Sequence, residues 1–267
     1  MRRRIGSATR NGRTSLLLLS LPVLAFLVAP VVIVVIVSFS NSAYLQFPPP
    51  GFSLQWHCRF LGEPGWQNAT LVSFEVAGVA SAVATTCGAA AAFGLGRKRV
   101  AGRGILFAAL LSPMIVPTII TAIGYYFLAR RIGLAGSVVG MAIGESVLAL
   151  PIVLITMTTA LQGLDRQLEH AALNLGASHW YTFRRVTLPL IAPGVVSSAL
   201  FAFLSAFDDL LIPLFLGGIR LQTLTVRIWS GLQVELDTTI AAVSTFFVAL
   251  TAIALLVSAL LRGPSST

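Results

Sequence analysis

Four carboxylates stand inside long apolar runs: Glu75, Glu145, Asp208 and Asp209. A charged side chain at the centre of a bilayer costs roughly 2.5–3.5 kcal/mol on insertion scales, so such groups face a cavity or a partner. Their chemistry is the attraction of a cation. Glu145 and the pair Asp208–Asp209 are therefore candidates for bordering a path through a membrane. Glu75 is expected at a solvated end of its run. The competing reading for the pair is structural: capping at a helix break, or pairing with Arg220 or Arg227. Catalytic chemistry finds no footing. The sequence has no GxxxxGK[ST] phosphate loop, no HExxH and no GxSxG. His57, His170 and His179 fall in predicted loops with no acidic pair placed to work with them. Cys58 and Cys87 lack metal-type spacing. No catalytic residue and no metal ligand is assigned.

A second feature is LEHAALNLGASHWYTFRRVTLP, residues 168–189, with Asp165 and Arg166 just before it. It is an amphipathic island in a chain that carries little charge. Leu168, Ala171, Ala172 and Leu175 recur at helical spacing and make one apolar face. Gly176 and Ala177 permit a turn, and Ser178 can cap a second helical segment containing Trp180, Tyr181 and Phe183.

The elements that must position these residues are membrane helices. Of 267 residues, 56% are hydrophobic and 10% charged, with a mean hydropathy of +0.89. A soluble domain has about 25% charged residues. The net charge of +9 does not point to nucleic acid, because the basic residues lie at the ends of apolar runs rather than in one patch. Six runs are long enough to cross a bilayer as helices: 15–39, 69–94, 104–129, 135–160, 190–217 and 238–261. The first follows a basic start but exceeds the length of a signal-peptide core, so it reads as a retained span.

With the N-terminus inside, the inner side holds Arg2, Arg3, Arg4, Arg10, Arg13, Arg97, Lys98, Arg99, Arg103, Arg166, Arg184, Arg185 and Arg262. The outer side holds Arg59, Arg130, Arg131, Arg220 and Arg227. Thirteen against five predicts N-in, C-in and a cytoplasmic 168–189 loop. The expected organisation is a basic segment over 1–14, one six-helix domain over 15–261 with a cytoplasmic loop at 161–189, and a tail over 262–267. Gly136, Gly140 and Gly144, and Ala80, Ala84, Gly88, Ala92 and Gly96, form small-residue ridges that favour tight helix packing. Pro151 is expected to kink its span. Trp56 and Trp66 are expected at the membrane surface.

The loop resembles a motif of the membrane permeases of ATP-binding-cassette importers: Glu-Ala-Ala, three residues, Gly, nine residues, Ile-x-Leu-Pro. Ala171, Ala172, Gly176, Val186, Leu188 and Pro189 fall on it. The motif glutamate falls on His170, with Glu169 one residue earlier, a rotation of about 100° on a helix. Either residue could make the family's polar contact. FPPPGFSLQW, SAFDDLLIPLFLGG (205–218) and LTVRIWSGLQVELDTTIAAVST (224–245) extend the resemblance to the polyamine (spermidine/putrescine) permeases, nearest to their second permease component.

The resemblance implies a multi-pass inner-membrane subunit with no cofactor of its own. ATP and Mg belong to two ATPase subunits, which dock on Glu169, His170, Ala171, Ala172, Gly176, Leu188 and Pro189. A second homologous permease and an extracytoplasmic binding protein complete the importer. Glu145, Asp208 and Asp209 are its substrate-path candidates. The same importer class serving an opine, ferric ion or sulfate is an alternative, as is an ion-coupled secondary transporter.

Overall fold

The computed structural model describes residues 10–97, 101–218, 221–234 and 237–261. They fold into helices: α1 (Arg10–Ser38), α2 (Gln55–Gly62), α3 (Pro64–Arg97), α4 (Arg103–Leu111), α5 (Thr118–Arg131), α6 (Val138–Gln162), α7 (Arg166–Asn174), α8 (His179–Thr182), α9 (Leu188–Asp208), α10 (Leu211–Leu216), α11 (Leu224–Val234) and α12 (Thr239–Leu261). The expected Arg220 lies outside the described residues. The chain divides into two compact units, one built from residues up to Gly62 with Val234–Ala249, the other from Glu63–Gln233 with the residues from Leu250 on.

In the first unit α1 is apolar over Ser20–Ser38, and nearly all of that stretch faces outward, as lipid-facing side chains do. The loop after it is tied down by polar contacts. Ser40 and Phe52 form an isolated antiparallel bridge, as do Tyr44 and Asp237. Asp237 pairs with Arg59 at 2.8 Å and accepts from the Thr239 N–H at 2.9 Å, which caps α12.

The second unit is built on α3, α6 and α9. Their core is made of small and medium residues: Ala84 and Ala92 from α3, Ala149, Val153, Leu154 and Met157 from α6, Ile191 and Ala202 from α9. The expected small-residue ridges are packing surfaces at Gly88 and Gly144, while at Gly96 and Gly136 an added Cβ would meet nothing within 4 Å. A Cβ added at Gly88 would lie 2.6 Å from Val153 Cγ1, one at Gly144 2.6 Å from the Tyr125 ring, and one at Gly194 2.4 Å from Ala160 Cβ. The Ala160 Cβ is anchored to the backbone and cannot rotate away, so α6 and α9 must separate. Gly194→Ala should therefore lower stability by about 1–3 kcal/mol, read as a fall in melting temperature in detergent. Gly78→Ala is the control. A Cβ there meets nothing within 4 Å, and the change should be neutral or stabilising by about 1 kcal/mol from helix propensity.

Two expected spans take another form. The run 104–129 is not one helix: α4 and a single 3₁₀ turn (Ser112–Met114) meet α5 at a bend of 96°. Pro113 and Pro117 supply no N–H, and Pro117 drives the residue before it from helical geometry. Pro117 itself is extended, at φ −53° and ψ 127°. The run 190–217 is likewise interrupted. α9 stops at Asp208, Asp209 is extended, and α10 follows. Among the described residues, five helices are long and apolar enough to span, or six if the bent pair counts as one. By contrast α6 continues as a single α-helix past Pro151.

Trp66 is buried, with the Arg227 guanidinium 4.7 Å above its ring. Arg227 also pairs with Glu63 at 2.7 Å. The Leu224 N–H donates to the Ser73 hydroxyl at 2.8 Å. These contacts hold α11 against the start of α3 and commit Arg227 away from the acidic pair.

Candidate functional site

The 161–189 loop forms a helical hairpin. Asp165 caps α7 by accepting from the Gln167 N–H at 2.9 Å. The helix ends in a Schellman turn: the Ala177 N–H donates to the Ala172 carbonyl at 3.1 Å and the Gly176 N–H to the Leu173 carbonyl at 3.0 Å. That turn needs a left-handed residue, and Gly176 supplies it at φ +88°. Ser178 then caps α8, accepting from the Tyr181 N–H at 3.2 Å.

A single π turn, Phe183–Thr187, joins α8 to α9. In it the Leu188 N–H reaches the Phe183 carbonyl, one residue further back than in an α-helix. Pro189 has no N–H to give, and the π turn sits where its missing bond would fall. The second half of the hairpin is thereby continuous with a spanning helix, His179–Asp208.

Of the two residues that could take the motif glutamate's place, Glu169 faces inward. The hydroxyl of buried Thr187 donates to its Oε1, tying α7 to the foot of α9. His170 is exposed on the other side. The outer face of the hairpin is apolar. Leu175 is 89% exposed and Trp180 69%, and Leu168 and Tyr181 are open as well. A groove of about 510 Å³ runs between Ala172, Leu175, Ala177 and Tyr181. Leu188 and Pro189 are exposed at the start of α9, and Ala171 at the middle of α7.

The acidic candidates also come together. Asp208 is exposed and Asp209 half-buried at the α9–α10 break. Both line an open groove of about 470 Å³ with Ser205, Phe201 and Ile152. One oxygen of Asp209 accepts from the Ile212 N–H at 2.9 Å, so the capping role is real for this residue. Glu145, from α6, lies behind Asp209 and within side-chain reach of it. It is only 1% exposed, and its Oε1 has no hydrogen-bond partner among the described residues. Leaving such an atom unsatisfied costs about 1–3 kcal/mol. Glu75 is exposed on α3. Sequence reasoning missed Thr187 and Ser205. Neither carries a local signal, since each acquires its place through residues far along the chain.

A helical chain with up to six apolar spans, a hairpin standing out from two of them and carboxylates gathered where a span breaks is a multi-pass membrane permease. The chain belongs to the family described as binding-protein-dependent transport system inner membrane component, which it matches over residues 5–263. It is thus a permease subunit of an importer of the ATP-binding-cassette class, seated in the inner membrane. It is similar to the spermidine/putrescine transport system permease protein PotC of Haemophilus influenzae, 29% identical over 85% of this chain and 88% of the relative. The putrescine transport system permease protein PotI of Escherichia coli strain K12 is 31% identical over 82% and 80%. A probable molybdenum transporter permease of Haloferax volcanii is 31% identical over 73% of each chain. The fold matches a chain of a bacterial transporter that imports the acidic polysaccharide alginate, with a TM-score of 0.67 at 14% identity over 96% of this chain and 99% of that one.

Proposed function

We propose that this subunit passes polyamines of the spermidine/putrescine type inward through a path bordered by Asp208, Asp209 and Glu145. The observation that carries the reading is the convergence of three carboxylates from two helices at a break in a spanning helix, with one buried oxygen unpartnered. Ammonium groups are the complementary ligand: cationic, and rich in N–H donors. The likeness to PotC and PotI over more than four fifths of the chain supports the same substrate class. A molybdenum-type oxyanion, suggested by the Haloferax relative, would be repelled by the same three groups.

The energy comes from ATP and Mg on two separate ATPase subunits, and the chain holds no cofactor of its own. A second, homologous permease completes the pore, and an extracytoplasmic protein delivers the solute. The termini and the α7–α8 hairpin lie in the cytoplasm, as the basic residues favour. There the apolar face of Leu175, Trp180 and Tyr181 docks in an ATPase groove. Closure of the ATPase pair moves the hairpin. Because α8 runs through the π turn into α9, and Glu169 ties α7 to Thr187, that motion passes to the helix that ends at Asp208. The path opens outward to the loaded binding protein, and hydrolysis resets it.

The solute is tested by purifying the cognate binding protein and identifying its contents by mass spectrometry. A polyamine is expected. An oxyanion there would overturn the substrate and leave the family membership intact.

A further inference from the structure

A partly open cavity belongs neither to the hairpin's outer face nor to the acidic groove. It measures about 330 Å³ and is lined by Gly96 of α3, Arg103 of α4, Thr158 and Gln162 of α6, and Arg166 and Glu169 of α7. Its place follows from the helices around it. α3 and α6 are apolar spans that end at Arg97 and Gln162. The cavity therefore lies where two spanning helices leave the hydrocarbon.

Its polar groups are arranged rather than loose. Arg166 Nη2 donates to the Gly96 carbonyl at 3.0 Å. That bond satisfies one of the open carbonyls at the end of α3 and fixes the guanidinium at the cavity wall, with the rest of its donor fork not used by it. Arg103 begins α4 directly after Gly102, which is left-handed at φ +74°, and no side chain caps that helix start. Arg103 has no carboxylate partner among the described residues. Glu169 also lines the cavity, and one of its oxygens accepts from the Thr187 hydroxyl. Two guanidinium groups against one carboxylate give the lining a net positive sign. In the sequence Arg103 also closes RKRVAGR, a stretch with four basic residues.

We propose that this cavity takes the phosphate group of an anionic membrane phospholipid, clamped by Arg103 and Arg166. A guanidinium fork matches phosphate oxygens bidentately. Basic pockets between spanning helices at the membrane surface are suited to lipid headgroups. Arg103 and Arg166 stand on different elements, so a bound headgroup bridges α4 and α7 and fixes the hairpin to the α3–α4 corner. Transport then depends on anionic lipid. The proposal holds whichever solute the importer carries.

The test is native mass spectrometry of the full chain in neutral detergent, titrated with phosphatidylglycerol, with phosphatidylcholine or with inorganic phosphate. Wild type should retain phosphatidylglycerol in preference to phosphatidylcholine. Arg103→Gln and Arg166→Gln should each weaken that retention about fivefold and leave phosphatidylcholine unchanged. Arg103→Gln is the more informative variant, because it breaks no described contact. An unchanged melting temperature separates its effect from misfolding. Equal phosphatidylglycerol retention in wild type and Arg103→Gln would overturn the proposal. So would retention of inorganic phosphate without the lipid, since the ligand would then be a soluble anion.

Discussion

Gly176→Asp should abolish uptake and release the ATPase subunits while leaving the permease inserted and folded. The expectation rests on a separation of local from global effects. Gly176 is left-handed at φ +88°, a conformation that costs most L-residues roughly 1–2 kcal/mol and Asn and Asp less. A Cβ at this position meets nothing within 4 Å, so no clash spreads into the α3–α6–α9 core. What is weakened is the Schellman turn, with its two bonds from Gly176 and Ala177 to the carbonyls of Leu173 and Ala172. α7 and α8 then lose their fixed angle, and a carboxylate appears in the groove between Leu175 and Tyr181. A docked apolar surface tolerates neither change. Co-purification of the ATPase with a tagged permease reads the loss directly. Gly176→Asn is the matched variant, because Asn adopts the left-handed region more readily and adds no charge. It should keep most of the assembly. Full assembly and uptake with aspartate at 176 would remove the hairpin from the coupling role.

The hairpin was legible in the sequence because its signals are local. The apolar face of Leu168, Ala171, Ala172 and Leu175, the glycine at the turn and the Ser178 cap all act within a few residues, and the structure has each of them. The choice between Glu169 and His170 was not legible. It depends on Thr187, which lies eighteen residues from Glu169 and reaches it only because a π turn delivers it there. The bend in the third span had a sequence cause, Pro113 and Pro117, but hydropathy averages over such a break and reports one apolar run. At Pro151 the helix is not broken, and α6 carries on as one element. Arg227 could not be assigned from spacing either. Its partner Glu63 lies 164 positions away, and that pairing removes it from the Asp208–Asp209 pair.

Neutralising the acids at the α9–α10 break tests the path itself. Asp208→Asn with Asp209→Asn should raise the KM for a polyamine about tenfold or more, an effect of about 1.4 kcal/mol or greater, with the ATPase still bound. The amide is the right replacement at 209. Its carbonyl oxygen can still accept from the Ile212 N–H, so the cap on α10 survives and only the charge is lost. A capping role alone therefore predicts wild-type kinetics for this pair, and a path role predicts the KM change. Glu145→Gln separates a third contribution. Glu145 is buried behind Asp209 with Oε1 unpartnered, so the amide removes its capacity for charge without removing volume. A group that only fills space would give normal uptake and an unchanged melting temperature. A group that receives an ammonium would lose transport with the protein intact. The sign for an anionic solute is opposite: removing negative charge from the groove would lower its KM. Unchanged kinetics in both the double Asn variant and Glu145→Gln, with assembly retained, would place the path elsewhere in the molecule.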